Sequence, residues 1–117
     1  MCIISINIRG LGTTPKYLAL KNLLLSLHPF IILIQETKHN VVDTTEYFWK
    51  MFPTWHITAT TAIGLSGGLV ALWDPRRINM KVFKCLVGTL LEGNIRGMSG
   101  YVHILNIYAP YRDRGDF

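Results

Sequence analysis

Residues 30–38 read FIILIQETK and place five consecutive apolar side chains directly before a glutamine, a carboxylate and an ammonium group. A run this short, entered from Pro29, is typical of a β-strand that is buried on both faces, and we expect a strand over residues 30–35. Residues that follow such a strand lie at its carboxyl end, where open α/β sheets bind their ligands. Glu36 is therefore either a functional carboxylate or a solvated charge that ends the strand.

The sequence before this strand predicts a βαβ unit. Residues 2–8, CIISINI, are rich in isoleucine and indicate a first strand. After a turn through two glycines, Thr13 or Thr14 is suited to cap a helix that has Pro15 near its first turn. The predicted apolar face of this helix carries Leu20, Leu23, Leu24 and Leu27. Short links between the three elements favour parallel strands joined by a right-handed crossover.

The sequence after the strand changes from helical to β-rich. Asp43 is expected to open a short second helix, with Glu46 as the partner in a capping box. Residues 54–62, TWHITATTA, and 67–73, GGLVALW, then predict two strands. The glycine-rich segment between them, IGLSGG, predicts a turn.

The last third of the chain predicts an antiparallel series. Residues 80–88 and 89–96 form either two strands or one long strand with a kink at Gly88. The segment GMSG at 97–100 predicts a hairpin turn into YVHILNIYAP at 101–110. A parallel start followed by antiparallel strands gives an α/β (α+β) fold with a mixed sheet.

Composition limits the class of protein. A chain of 117 residues suits one domain, and a hydrophobic content of 50% with a mean hydropathy of +0.28 supplies a core. The sequence has no apolar run near the roughly 18 residues of a membrane span, and its start lacks the basic lead of a signal peptide. We therefore expect an intracellular protein. The net charge of +5 suits a polyanionic partner or a solvated basic surface equally well.

Polar side chains occupy equivalent places on the two predicted parallel strands. Asn7 lies near the carboxyl end of the first strand, and Glu36 lies just after the second. A carboxylate beside an amide suits a hard divalent cation such as Mg²⁺, which proteins hold by one or two carboxylates with water. Tyr108, at the end of the last strand, has a phenol that is able to donate to an anionic oxygen. Taken singly, Asn7 is equally a turn residue, Glu36 a solvated charge and Tyr108 a core side chain.

Four motifs in order give a resemblance to a known family. INIRGLG at 6–12, IQETK at 34–38, SGGLVALW at 66–73 and NIYAPYRDR at 106–114 resemble motifs of the endonuclease/exonuclease/phosphatase superfamily. The sequence is most similar to the apurinic/apyrimidinic-endonuclease-like domain of LINE-type retrotransposons, particularly those of plants. The resemblance spans the whole chain, and QETK after a buried strand is its most specific part.

The resemblance implies a four-layer α/β sandwich and a metal-dependent phosphodiesterase that acts on DNA. By this resemblance Glu36 is a ligand of Mg²⁺ (or Mn²⁺), and Asn7 lies at the same metal site as a catalytic residue. Tyr108 is expected to contact the scissile phosphate. Lys38 follows the QET motif and is expected to be a charge partner of the site.

The sequence also departs from the family pattern. Arg9 stands where base-repair members carry an aspartate, although the retrotransposon branch often has arginine there. Tyr111 stands where many members have an asparagine, and we expect Arg9 and Tyr111 to support substrate binding together with Lys38.

The family's Asp-x-Asn and Ser-Asp-His motifs, which orient water and transfer protons, are not found in this sequence. We therefore expect residues 1–117 to be a partial domain, the N-terminal half, and inactive alone. A functional protein of this kind is expected in the nucleus. The alternatives are a non-catalytic nucleic-acid-binding remnant, a phosphatase of inositol phosphates or lipids from the same superfamily, and an unrelated small α/β nucleotide-binding module.

Overall fold

A computed structural model of the chain describes residues 2–60, 62–63, 66–85 and 88–107. Within these ranges the chain forms two helices and nine strands. In chain order they are β1 (Ile3–Asn7), α1 (Thr14–Ser26), β2 (Ile31–Gln35), α2 (Val41–Met51), β3 (His56–Ala59), β4 (Ala62–Ile63), β5 (Ser66–Gly67), β6 (Leu69–Trp73), β7 (Ile78–Cys85), β8 (Gly88–Ile95) and β9 (Val102–Ile107). Neither helix has the length and hydrophobicity that a membrane span requires in this part of the chain.

The first sheet has the strand order β1-β2-β6-β3. β1 and β2 are parallel, with Asn7 opposite Gln35, and α1 supplies the crossover between them. β6 is antiparallel to both of its neighbours, β2 and β3. The sheet is therefore mixed, which confirms the predicted fold class with its βαβ start.

The second sheet is an antiparallel meander of β7, β8 and β9. Ile78–Cys85 and Gly88–Ile95 are thus two paired strands rather than one long kinked strand, and Gly88 begins the second of them. A Cβ atom on Gly88 would lie 2.1 Å from the carbonyl oxygen of Asn106, so only glycine permits this approach of β8 to β9. The short strands β4 and β5 pair with each other.

β2 is central and is covered on both faces, as its composition predicts. Ile32 and Ile34 are 0% exposed and pack with buried side chains of α1 and α2. Ile31 and Leu33 point the other way and pack with buried side chains of β7 and β8 in the second sheet. The described residues therefore form three layers, with the helices outside the first sheet and the second sheet on its other face.

The buried stripe of α1 is narrower than predicted. Leu20 and Leu24 are buried against the first sheet, but Leu23 and Leu27 are each 47% exposed. Leu27 is the C-cap, one residue beyond the helix, and is exposed there. The face of α1 that packs on the sheet carries Tyr17, Leu20 and Leu24, and Leu23 lies to one side of this face.

α2 begins earlier than predicted. Its N-cap is Asn40, whose side-chain oxygen accepts a hydrogen bond from the backbone N–H of Asp43 at 2.8 Å. Asparagine and aspartate are about equally good N-caps, so the spacing alone did not distinguish them. Glu46 consequently lies one turn into the helix, where it forms an exposed pair with Lys50 at 3.5 Å.

Candidate functional site

The parallel pairing of β1 and β2 brings Asn7 and Glu36 to the same end of the first sheet. Asn7 is the last residue of β1 and pairs with Gln35, the last residue of β2. Beyond the strands, the N–H of Ile8 donates to the carbonyl of Gln35 at 3.1 Å, and the N–H of Gly10 donates to the carbonyl of Glu36 at 2.6 Å. These bonds fix the loop after β1 against the segment that carries Glu36.

Left-handed backbone is concentrated at this end of the sheet. Arg9, Glu36 and Lys38 have φ values of 52°, 56° and 58°, and His28 is the one other non-glycine residue with positive φ in the described part of the chain. Each such residue costs roughly 1–2 kcal/mol relative to ordinary backbone. Strain that is retained in several neighbouring residues is typical of functional sites.

The glycines of the SGG motif allow β6 to approach the segment that follows Glu36. The N–H of Thr37 donates to the carbonyl of Gly68 at 3.2 Å, and the N–H of Lys38 donates to that of Gly67 at 3.1 Å. A Cβ atom on Gly68 would lie 2.0 Å from Oγ1 of Thr37. Thr37 is fully buried, and its hydroxyl has no hydrogen-bond partner among the described residues. The two glycines of the SGG motif therefore allow the backbone before β6 to lie close to the backbone of Thr37 and Lys38.

The loops around Glu36 carry more positive than negative charge. Glu36 is half-buried and is the only carboxylate in segments 8–12 and 36–38, whereas Arg9 and Lys38 are exposed cations. The side chain of Lys38 passes over Gly10, whose Cβ position lies 3.8 Å from Cδ of the lysine. The N–H of Arg9 donates to Oδ1 of Asn7 at 3.1 Å. A site with this balance of charge suits an anionic substrate.

A lysine that the sequence did not indicate holds the loop after β1. Nζ of Lys16, in the first turn of α1, donates to the carbonyls of Ile8 and Gly10. Gly12 makes room for this side chain, since a Cβ atom there would lie 2.3 Å from Cδ of Lys16. No spacing rule predicts such a contact between a helix and the loop that precedes it.

A second residue without a predicted role, Asn106, joins the two sheets below Glu36. Its Oδ1 accepts a hydrogen bond from Nε2 of Gln35 at 3.0 Å, and its Nδ2 donates to the carbonyl of Val70 at 3.1 Å and that of Ile34 at 3.4 Å. Asn106 is 2% exposed. Nε2 of Gln35 also donates to Oγ of Ser5 in β1, at 3.0 Å. The signal in the sequence was an asparagine on the inward face of β9, where the other residues are Val102 and Ile104.

The oxygen donors at this end fit a hard cation, with one carboxylate available. Glu36 offers a carboxylate and Asn7 an amide oxygen, which are the donor types that Mg²⁺ prefers. No cluster of three or more histidine, cysteine, aspartate or glutamate side chains suitable for a metal occurs within the described ranges. Water and substrate oxygens would therefore complete such a site. Tyr108 and Tyr111, the other predicted site residues, lie outside the described residues.

Comparison with known proteins finds a match in structure. No family model matches the sequence, and no curated protein matches it. A solved structure, a humanized TDP2 from D. rerio carrying 14 mutations, matches with a TM-score of 0.65 and 16% identity. The match covers 92% of this chain and 47% of that one, so the chain spans about half the length of its structural neighbour.

The chain has the endonuclease/exonuclease/phosphatase-like fold. At 16% identity the likeness concerns the fold alone. It agrees with the superfamily that the four motifs indicated, and it does not distinguish the retrotransposon branch from other members.

Proposed function

We propose that this chain is part of a metal-dependent phosphodiesterase that cleaves DNA, related to the endonuclease domains of LINE-type retrotransposons. The observation that supports the proposal best is the position of Asn7 and Glu36 at the ends of neighbouring parallel strands. The fold shared with TDP2 and the motif order from residue 6 to residue 114 agree with it. Residues 1–117 supply one part of such a domain.

In this proposal each predicted site residue has a separate role. The Glu36 carboxylate is the protein ligand of Mg²⁺ or Mn²⁺, and the Asn7 amide orients that carboxylate or a bound water. Arg9 and Lys38 attract the phosphodiester, and Tyr108 donates a hydrogen bond to a phosphate oxygen. The cation, when bound, supplies charge stabilisation to the phosphoryl oxygens and lowers the pKa of a coordinated water.

Cleavage also needs a group that orients the attacking water and a group that transfers a proton. The family motifs that supply those groups are not among residues 1–117. We therefore propose that this chain binds a divalent cation but does not cleave DNA alone. The missing groups would come from a further segment of the parent domain.

Metal binding tests the proposal directly. Titration of the purified chain with Mn²⁺, followed by the electron paramagnetic resonance signal of free Mn²⁺, should show weak binding that Glu36→Gln abolishes. Glu46→Gln is the matched control, since it removes an exposed carboxylate from α2 without touching the sheet end. Equal binding by the native chain and Glu36→Gln would refute the metal site.

Plasmid nicking tests the second part of the proposal. With Mg²⁺ or Mn²⁺ present, the native chain should nick supercoiled DNA no faster than Glu36→Gln. Nicking that requires Glu36 would show that these residues suffice for cleavage, and the assignment of the missing groups would then be wrong.

A non-catalytic nucleic-acid-binding protein is the second candidate, favoured by the exposed cations Arg9 and Lys38 beside a single carboxylate. Such a protein should bind DNA equally well in EDTA and as Glu36→Gln. Absence of Mn²⁺ binding, combined with DNA binding that Arg9→Gln and Lys38→Gln weaken, would favour this candidate over the phosphodiesterase.

A further inference from the structure

A groove lies at the other end of the sandwich from Glu36. Its walls are the turn after β6, the start of β7 and the end of β8, and its volume is about 300 Å³. Phe30 precedes β2 and Glu36 follows it, so the two ends are separated by roughly 20 Å at about 3.3 Å per residue. The groove is therefore a separate feature from the candidate metal site.

Three arginines line this groove, and two of them, Arg77 and Arg96, lie side by side. The backbone N–H of Arg96 donates to the carbonyl of Arg77 at 2.8 Å, which extends the β7–β8 ladder by one pair. The guanidinium carbon of Arg77 lies 5.3 Å from the centre of the Phe30 ring, in a cation–π contact. Both arginines also line a smaller adjoining cavity of about 80 Å³ with Phe30 and Ile95. Stacking on a buried ring restricts the guanidinium and lowers the entropy cost of binding an anion.

Neither of these arginines is paired with a carboxylate among the residues that the structure describes. Asp74, the one carboxylate at this end within the described ranges, is 5% exposed and accepts two side-chain hydrogen bonds from Arg76, at 3.0 and 3.1 Å. Arg76 is thus the direct partner of Asp74, and Arg77 interacts with that carboxylate only at longer range. Arg77 and Arg96 are both exposed. Two exposed guanidinium groups on one groove make a local positive potential.

Amide groups continue the groove beyond the arginines. Asn79 and Asn94 are directly opposite each other on β7 and β8, are both exposed, and line the same groove. Guanidinium groups bind phosphate oxygens with paired hydrogen bonds, and asparagine amides contact phosphate, sugar or base edges. Two guanidinium groups and two amide groups together offer the hydrogen-bond donors that a phosphodiester backbone accepts.

We propose that the groove formed by Arg77, Arg96, Asn79 and Asn94 binds the phosphodiester backbone of a nucleic acid. This inference goes beyond the proposed function and does not depend on the metal site. A membrane surface fits less well, because the groove itself is lined mainly by arginine and asparagine side chains. The exposed apolar side chains Met98 and Tyr101 lie in and just after the turn that follows Arg96, whereas Phe83 and Ile107 lie at the opposite end of the strands. The net charge of +5 assists the approach of a polyanion.

Fluorescence anisotropy with labelled 20-nucleotide single-stranded DNA, duplex DNA and RNA of the same sequence tests the proposal. The double variant Arg77→Gln/Arg96→Gln should bind each probe at least tenfold more weakly at low salt than the native chain. Its plot of log K against log salt for the duplex should be shallower by about 2, since two phosphate contacts are lost at about 0.9 each. The three probes show whether the site prefers single strands, duplexes or RNA.

The matched control is Lys21→Gln/Lys50→Gln, which removes the same charge from α1 and α2 on the far side of the first sheet. It should bind within threefold of the native chain. Equal losses from the two double variants would mean that the net charge is responsible, and the groove would be rejected. Asn79→Ala/Asn94→Ala should weaken binding without changing the salt slope.

A fallback variant and competition experiments distinguish the remaining explanations. If circular dichroism shows that the arginine double variant does not fold, the single variant Arg96→Gln replaces it, because no hydrogen bond from the Arg96 side chain occurs among the described residues.

If polyglutamate competes with the oligonucleotides as well as polyphosphate does, the ligand of the groove would be an acidic protein instead. Arginine-dependent binding to phosphatidylserine vesicles, with none to the oligonucleotides, would reassign it to a membrane. Arg77→Gln/Arg96→Gln should bind Mn²⁺ as the native chain does, so failure of the groove is separable from failure of the metal site.

Discussion

The side chains of Gln35 and Asn106 form a hydrogen bond of 3.0 Å that joins the two sheets of the sandwich. Gln35 directly precedes Glu36. Gln35 is the last residue of β2 and pairs with Asn7 of β1. The contact therefore fixes the end of β2 from which the candidate metal ligand projects. Asn106 is almost fully buried, so its amide has no water to replace the partners that it finds in the first sheet.

Replacement of Asn106 by alanine should lower the free energy of unfolding by about 3 kcal/mol. The variant removes three hydrogen bonds of a buried side chain, one with Gln35, which keeps Ser5 as a partner, and two with the carbonyls of Val70 and Ile34; each such loss costs roughly 1 kcal/mol. Urea unfolding measures the difference. Asn94→Ala, at an exposed position of the same sheet, is the control and should change stability by less than about 0.5 kcal/mol. Equal effects of the two variants would contradict the bridging role.

Gly68→Ala should destabilise the protein more than Gly97→Ala. Both glycines have positive φ, 85° and 88°, so an alanine meets the same backbone strain at either position. At Gly68 the new methyl group would also lie 2.0 Å from the buried hydroxyl of Thr37, whereas at Gly97 it meets nothing within 4 Å. We expect thermal or urea unfolding to show about 1 kcal/mol lost at Gly97 and at least about 2 kcal/mol more at Gly68. Similar losses would show that Thr37 is able to move aside.

Asp74 should make the stability depend on pH in the acid range. Hydrogen bonds from the Arg76 side chain hold the pKa of the Asp74 carboxyl below its ordinary value, against the opposing effect of burial. A pKa that is lowered in the folded state stabilises the protein above the unfolded pKa of about 3.9, and this stabilisation is lost as pH falls through the folded pKa.

Urea midpoints of the native chain and Asp74→Asn test this dependence. They should differ most at neutral pH and converge as the pH falls below about 4. A difference between the two proteins that stays constant down to pH 2.5 would be inconsistent with the ionised carboxylate as its source.

The outer face of the second sheet should promote self-association. Phe83, Leu90 and Leu105 are adjacent in register across β7, β8 and β9, and Phe83 and Leu105 are 51% and 45% exposed. Contiguous apolar surface of this kind on a single chain is typical of an interaction site or a cause of aggregation.

We expect sedimentation to show oligomers and a hydrophobic dye to bind. Phe83→Lys/Leu105→Glu should reduce both effects, whereas Leu18→Lys/Leu23→Glu, at equally exposed positions of α1, should not. A native chain that sediments as a monomer and binds no dye would exclude this face as an interaction surface.

The elements that local pattern decides were predictable. The apolar run from Phe30 to Ile34 is short, which predicts a buried strand, and the structure confirms a strand covered on both faces. The parallel pairing of β1 and β2 followed from the intervening helix. Where two local choices were close in energy the prediction failed, as at the α2 cap, where Asn40 and not Asp43 begins the helix.

The candidate site was predictable in position but not in its supporting contacts. Strand order placed Asn7 and Glu36 at one end of the sheet, and the assignment of Glu36 as a metal ligand stays a prediction. The contacts of Lys16 and Asn106 depend on how distant segments meet, which no local periodicity encodes. The left-handed backbone of Glu36 and Lys38 was also not readable, because residue type favours that conformation chiefly for glycine.

The Gln35–Asn106 bond also has a consequence for the order of folding. β7, β8 and β9 are neighbours in sequence, whereas this bond joins residues 71 positions apart and closes a long loop. Loop closure of that length is slow compared with the formation of a meander, so the Glu36 end of the sandwich should be completed after the folding barrier is crossed. In stopped-flow experiments, Asn106→Ala should then unfold faster than the native chain while its refolding rate is nearly unchanged.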